Sequence, residues 1–435
     1  MTYTYWNESV EKISRDALRD LQNERLRSLV ERVYRSVPFY REKMDALGVK
    51  PQDIQTVEDI RFLPFTTKQD LRDNYPFGLF AAPKEEIVRI HASSGTTGKP
   101  TVAGYTKNDL DNWAEMLARG LTGAGLDKRS TIHISYGYGL FTGGLGAHYG
   151  AEKIGAAVVP ASGGNTQRQM MLLKDFQADA IMSTPSYALN IADSYLAGGG
   201  DIRDLSLKVG IFGAEPWTDE MRVQIEQKLG IEAYDVYGLT EMMGPGVAIE
   251  CPEHQGLHIW EDHFYPEIIG ADDQPLGYDQ EGELVFTTLT KEGMPLLRYK
   301  THDISCLTLS PCPCGRTHVR MRRVSARTDD MLIIRGVNVF PSQIEHTLLH
   351  IPGLSPHYQI IVDRSGTLDT IEVQVELNSS VLVGDTVREL ETLRARAEAQ
   401  LAADVLVHMK VKLCMPGSLP RYEGKAKHVI DYRKV

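Results

Sequence analysis

The sequence predicts an α/β protein in two parts, a large N-terminal domain of mixed sheets and helices over residues 1–328 and a small α+β domain over residues 329–435. Three observations carry that prediction. Short apolar runs bounded by glycine turns, "AAVVP" (156–160), "KVGIFGA" (208–214) and "GELVFTT" (282–288), alternate with helical segments such as 217–229, as in an α/β body. The character then changes near "SARTDDMLIIRGVNVFP" (325–341). Beyond it, "TIEVQVEL" (370–377) puts Ile371, Val373, Val375 and Leu377 on one face, the period-two pattern of a half-buried strand.

Taken in order, residues 8–36 come first. They are strongly charged, with Leu18, Leu21, Leu26, Leu29, Val30 and Val33 at helical spacing, so they read as one amphipathic helix laid on the main body. In the second part a helix carries Leu390, Leu393, Ala397 and Leu401, and "MKVKLC" (409–414) reads as a closing strand. The boundary falls at Asp329 and Asp330. A hydrophobic content of 42% and a charged content of 24% are those of an ordinary globular chain. The net charge of −11 argues against a general nucleic-acid or anionic-membrane binder. The N-terminus lacks a basic-then-apolar leader, no apolar run reaches spanning length, and the five cysteines suggest no disulfide framework. The expected setting is a reducing cytoplasm, with neither membrane nor nucleic acid as partner.

The chemistry-bearing stretch is "HASSGTTGKP" (91–100), where Ser93, Ser94, Gly95, Thr96, Thr97 and Gly98 lead to one cation, Lys99. Hydroxyls, bare N–H groups and a lysine make a phosphate-binding loop. A Walker loop needs glycine where Ser93 stands and a Ser or Thr where Pro100 stands, so this is a different loop. Four further stretches join it: "IFGAEPW" (211–217), a strand ending in a turn that lets a flat ring approach backbone; "DVYGLTE" (235–241); "YKTHDI" (299–304); and "LPRYEGKAKHV" (419–429). Each is common alone; their order along one chain carries the weight. "GYGLFT" (137–142) starts like a dinucleotide fingerprint but ends in Thr142 rather than glycine.

With "VPFYREKM", "SSGTTGKP", "YGYGLFTGGLGAHYGAEKIGA", "EDHFYPEI", "LTKEGMPLLRYKTHD" and "DDMLIIRGVNVFPSQIE", the chain resembles the adenylate-forming enzymes and, among them, the phenylacetate–CoA ligases, from end to end. The resemblance implies that an aryl acid and ATP give an acyl-adenylate and pyrophosphate, and that coenzyme A then displaces AMP. It implies that Ser93, Ser94, Thr96, Thr97 and Lys99 cradle the β- and γ-phosphates, that Glu241 holds Mg2+, and that Thr240 meets the α-phosphate. Adenine would lie between Gly213, Ala214, Glu215 and Pro216 on one side and Tyr237 with Gly238 on the other, with Asp303 on the ribose. Lys425 would bridge the acid and the α-phosphate. Before it the chain carries Arg421, Tyr422 and Glu423 where many relatives have other residues, but Gly424–Lys425 is intact, and Lys425 is preferred over Lys427. The small domain would be mobile, turning about Asp329. Arg327 and Arg335 flank that hinge, and for both phosphate contact and interdomain ion pairing stand open.

Tyr136 and Phe141, beside several glycines and near Gly213 and Ala214, suit the wall of an aryl-acid pocket, although core packing accounts for one of these aromatics as well. "CPEHQGLH" (251–258) and "CPCGRTH" (312–318) read as Cys251, His258, Cys312 and Cys314 around a structural zinc ion, with His254 and His318 competing for the histidine position. Phenylacetate is the acid the resemblance implies, with benzoate, hydroxyphenylacetate and indoleacetate as alternatives. Transfer to a carrier-protein thiol and a non-catalytic nucleotide sensor are the competing functions. A homodimer is implied only by resemblance.

Overall fold

The computed structural model describes residues 2–93, 100–328, 330–334, 337–365, 368–378, 387–422 and 426–433. Five strands lie side by side in the order Ala157–Val159, Thr131–Ile134, Ala180–Ser183, Val209–Gly213 and Glu232–Tyr237, all parallel. By position in the sequence that is 2-1-3-4-5, a doubly wound order. Past Glu232–Tyr237 the same sheet continues antiparallel through Ala248–Glu250, Leu257–Ile259, Arg320–Met321, Tyr299–Thr308, Glu281–Thr288 and Phe264–Ile269. Ala326–Arg327 pairs with Tyr299–Thr308 off that path.

The parallel strands are apolar on both faces because both are covered. Ala180, Met182, Val209, Ile211 and Val236 enter the main core, while Ile181, Phe212 and Ala233 enter a second one with Leu189, Trp217 and Ile225. Beyond residue 331 a separate core forms. There Leu354–Ser365 and Leu368–Leu377 pair antiparallel, flanked by the parallel edge strands Val429–Asp431 and Lys410–Cys414. Ile371, Val373, Val375 and Leu377 are all buried, as are Ala397 and Leu401 of the helix Val387–Val405. No helix among the described residues is long and apolar enough to cross a membrane.

The amphipathic segment near the N-terminus differs from the single expected helix. It is Glu8–Glu11 followed by Arg15–Ser36. The cause is local: Ser14 has extended backbone and its Oγ accepts from Ala17 N–H, which starts a new helix. Leu21 is only half-buried. Gln22 is buried in its place, its amide donating to the Glu261 carbonyl at 2.9 Å.

One buried ion pair ties this body together. Arg119, on the helix Lys107–Gly123, donates to both oxygens of Asp262 at 2.8 and 3.0 Å. Burial alone would raise the Asp262 carboxyl, but coupling to His263, a ring that burial pushes down to about 3 and that is charged only in acid, and the positive charge of Arg119 hold it well below the ordinary carboxylate range. Removing one member of such a pair costs about 3–5 kcal/mol, so Asp262→Asn is expected to lower the urea midpoint of the large domain by that equivalent. Because the folded carboxyl is depressed, its contribution is complete above the unfolded value of ~3.9 and fades as pH falls below it. The difference between wild type and Asp262→Asn should therefore shrink on acidification and persist at neutral pH.

Candidate functional site

In open α/β sheets ligands bind at the carboxyl ends of the strands, and the residues singled out above gather there. Tyr136 follows Thr131–Ile134, Ala214–Pro216 follow Val209–Gly213, and Gly238–Glu241 follow Glu232–Tyr237. The packing leaves no choice at Gly213: a Cβ would sit 2.1 Å from the Val236 carbonyl oxygen of the neighbouring strand. Ala214 then turns the chain at φ 73°, a left-handed conformation costly for a residue with a side chain and common where a site demands it.

Glu241 sits at the centre of a buried network. The Thr101 hydroxyl lies 3.1 Å from Glu241 Oε1 and 2.7 Å from Ser93 Oγ, and Tyr299 OH donates to the same carboxylate oxygen at 3.4 Å. Ser93 N–H donates to the Thr101 carbonyl at 2.9 Å. The start of the glycine-rich loop is thus tied to the carboxylate expected to hold magnesium. The backbone on either side is held too. Tyr105 OH donates to the Thr240 carbonyl at 2.7 Å, and Lys291 Nζ donates to the carbonyls of Glu241 and Met242, both at 2.7 Å. Burial pushes the Lys291 ammonium down to about 7, against the opposing pull of Asp109 and Glu241.

Sequence reasoning missed Lys291, Thr101, Tyr105 and Tyr299 as site residues. Lys291 lies within "LTKEGMPLLRYKTHD", which carries the resemblance, but nothing in its spacing marks it as buried.

On the other side, Tyr237 OH donates to Asp303 Oδ2 at 2.6 Å while its ring stacks on Phe286. Arg327, directly opposite Asp303 on the adjoining strand, pairs with Oδ1. It also reaches Asp330 at 3.4 Å. The Asp303 pair lies within the large body and matches neither open reading for Arg327; the longer contact to Asp330 crosses the expected boundary.

Glu215 has a use the sequence did not suggest. Its Oε1 accepts from Ser186 N–H at 2.7 Å and its Oε2 from Ala426 N–H at 2.9 Å. One carboxylate thus joins the large body to the C-terminal segment that contains the glycine-lysine pair. The aromatic candidates separate: Tyr136 is buried in the main core, whereas Phe141 is 40% exposed. Ser94, Gly95, Thr96, Thr97, Gly98, Lys99, Asp329, Arg335 and Lys425 lie outside the described residues.

The cysteine loops converge. Cys251, His258, Cys312 and Cys314 bring one donor atom each to within 4.8 Å of one another, all buried. Cys251 Sγ is 3.6 Å from Cys312 Sγ, and Cys314 Sγ is 3.4 Å from His258 Nε2. The competing histidines are engaged elsewhere. His254 contacts Arg222, Glu250 and Glu232, and His318 contacts the Val10 carbonyl and the Glu261 amide. Cys306 stands apart, its thiol facing the Leu307 carbonyl. The N-terminal segment straps these loops down: Tyr5 OH donates to the Cys314 carbonyl, and buried Glu11 accepts from Arg316 at 2.8 Å.

Comparison with known proteins places this geometry. A family model for AMP-binding enzymes matches residues 18–289, and one for the AMP-binding enzyme C-terminal domain matches 336–433. Phenylacetate-coenzyme A ligase of Thermus thermophilus is 53% identical, covering 98% of this chain and 99% of the relative. The protein of the same name from Escherichia coli K12 is also 53% identical, covering 98% and 97%. Among solved structures, 2-hydroxyisobutyryl-CoA ligase in the postadenylation state with R3-HIB-AMP superposes with a TM-score of 0.91 at 28% identity, over 98% of this chain and 92% of that one. The same ligase with 2-HIB-AMP and CoA in the thioesterification state gives 0.73 at 29% identity, over 99% and 93%.

Proposed function

Because the chain belongs to the AMP-binding enzymes and, among them, to the phenylacetate–CoA ligases, we propose that it joins phenylacetate to coenzyme A in two steps. A carboxylate oxygen attacks the α-phosphorus of ATP, forming the acyl-adenylate as pyrophosphate leaves. The thiol of coenzyme A then attacks the acyl carbon, and AMP departs with the bonding electrons. The carrying observation is the convergence, at one edge of the parallel strands, of Ser93 with Glu241, of the Gly213–Pro216 turn, and of Tyr237 with Asp303.

The first step brings two anions together, so catalysis is a matter of charge and position. In this reading Ser93 to Lys99 hold the departing phosphates, Thr240 meets the α-phosphate, and Asp303 fixes the ribose. The Ala214–Pro216 turn and Tyr237 enclose adenine. Magnesium, when bound at Glu241, neutralises phosphate charge; a buried carboxylate flanked by the Thr101 and Tyr299 hydroxyls is an oxygen environment of the kind that ion takes. Lys425 joins the two reactants. Ala426, its neighbour in the chain, donates to Glu215 within the adenine turn, which supports bringing that lysine to this site. Tyr136 and the Gly213–Ala214 backbone line the acid's side. Phe141, exposed here, serves in that role only as a rim residue.

The division at residue 329, with Asp329 as the pivot, belongs to the same proposal. The better superposition on the postadenylation state than on the thioesterification state of one relative supports it, as a rigid turn about few residues does to a two-domain fit.

Zinc at Cys251, His258, Cys312 and Cys314 completes the reading. Bonds of ~2.3 Å to sulfur and ~2.0 Å to nitrogen at tetrahedral angles separate sulfurs by about 3.8 Å and sulfur from nitrogen by about 3.5 Å. The separations of 3.6 and 3.4 Å fit. His258 Nδ1 faces the His318 carbonyl at 3.3 Å, the outer contact that orients a ligating imidazole. The ion would pin two loops and take no part in the reaction.

The test is exchange of labelled pyrophosphate into ATP across a panel of aryl acids, without coenzyme A. Exchange strongest with phenylacetate is expected. A stronger response to benzoate or indoleacetate would reassign the acid, and silence with every acid would overturn the ligase reading.

A further inference from the structure

We propose that Glu220, His346 and His350 form an interdomain site for a divalent transition-metal ion, one that exists only while the small domain stands as it does here. Glu220 lies in the first turn of the helix Asp219–Leu229 on the large body. His346 lies in the last turn of the helix Pro341–Leu349 of the small one, and His350 caps its C-terminus. One donor atom from each falls within 4.8 Å of the others. Histidines four residues apart on a helix share a face, an arrangement that chelates zinc in helical motifs.

The hydrogen bonding points to a cation between them. His350 Nδ1 lies 2.8 Å from the His346 carbonyl oxygen, so Nδ1 carries the proton. His350 Nε2 then faces Glu220 Oε1 at 3.1 Å. A neutral ring would set two acceptors against each other, so a proton or a metal ion must lie between. A proton makes no use of the third donor, His346, whose ring centroid is 4.3 Å from that of His350. A metal ion uses all three and leaves a fourth position to water. Two imidazoles and a carboxylate suit zinc, with nickel and copper as competitors. The Nδ1–carbonyl bond is the outer contact that fixes a ligating imidazole.

The consequence follows from where the ligands sit. The donors come from two bodies that the two-step reading requires to turn against each other, and a ligand that binds one arrangement draws the population toward it. Bound zinc would hold the small domain in the present orientation and slow the step that needs coenzyme A. This second claim rests on the ligase reading; the existence of the site does not.

Zinc titration in a metal buffer, on protein whose cysteine site is already filled, is expected to show a further equivalent. That equivalent should vanish in Glu220→Ala, His346→Ala and His350→Ala, each a substitution of a half-buried or exposed residue. At the same free zinc, consumption of preformed acyl-adenylate by coenzyme A should slow about tenfold in the wild type and not in His350→Ala. Chelation by coenzyme A is common to both proteins and cancels. Pyrophosphate exchange should be unchanged. No second equivalent, or one retained in all three variants, overturns the site. Slowing that is equal in wild type and His350→Ala, or absent from both, overturns its coupling to domain movement. Failure of exchange with every acid would count against the ligase reading alone, and the titration would still decide the site.

Discussion

Lys425→Ala is expected to lower acid-dependent pyrophosphate–ATP exchange by about a hundred- to a thousandfold, the scale of losing one preorganised charge contact to a transition state. Thioester formation from supplied phenylacetyl-adenylate should be largely spared. The asymmetry comes from the order of the chemistry. Only the first step joins a carboxylate to a phosphate, and only there does a cation between them lower the barrier. In the second step the mixed anhydride already exists, and the thiol needs the space and the approach that a retreating domain provides. Lys427, exposed and two residues further on, is the control: Lys427→Ala should retain both half-reactions. Equal loss of the two half-reactions in Lys425→Ala would remove the basis for a turning domain.

Loss of the metal at the cysteine loops should have the largest effect on stability. Structural zinc binds small domains with roughly 10–16 kcal/mol. Even a third of that, felt by the folding equilibrium, moves the melting midpoint of a domain this size by about 5–8 °C. Cys314→Ser is therefore expected to contain one equivalent of zinc less than the wild type by elemental analysis and to melt lower by about that much. Chelator-treated wild type should approach the same midpoint and recover on addition of zinc. Cys306→Ser, outside the cluster, should do neither. Zinc-free wild type with an unaltered midpoint would leave four reduced thiols and no ion.

The two-part α/β architecture was legible in the sequence wherever one strong pattern dominated. "TIEVQVEL" alternates because one face meets a helix layer, and "VGIFG" is apolar throughout because both faces are covered. The N-terminal helix was read too long because apolar spacing continues across Ser14, and only the capping bond shows the break. At the candidate site, Asp303, Tyr237, Glu241 and the Gly213–Pro216 turn were singled out through motifs. Lys291, Tyr105 and Thr101 were not, because their function is to hold backbone and a carboxylate that lie 50 to 140 residues away in the chain. No local pattern encodes such distances. The partnership of Glu215 with Ala426, 211 residues apart, was invisible for the same reason. The choice among three histidines needed coordinates, since His254, His258 and His318 are chemically equivalent on the page.

The strap formed by the first residues also sets a timetable. Glu11 meets Arg316, 305 residues away, and Thr317 Oγ1 donates to the Ile13 carbonyl across 304. A chain emerging from the ribosome at about 5–20 residues per second delivers its opening helix many seconds before the loops that receive it. The helix Arg15–Ser36 packs on near neighbours in the chain, Pro38–Ala46, Pro51–Asp53 and Val57–Phe62, so part of its apolar stripe is covered early. The strap itself closes when residues 312–318 arrive, which makes this seal on the large body a late event in biosynthesis.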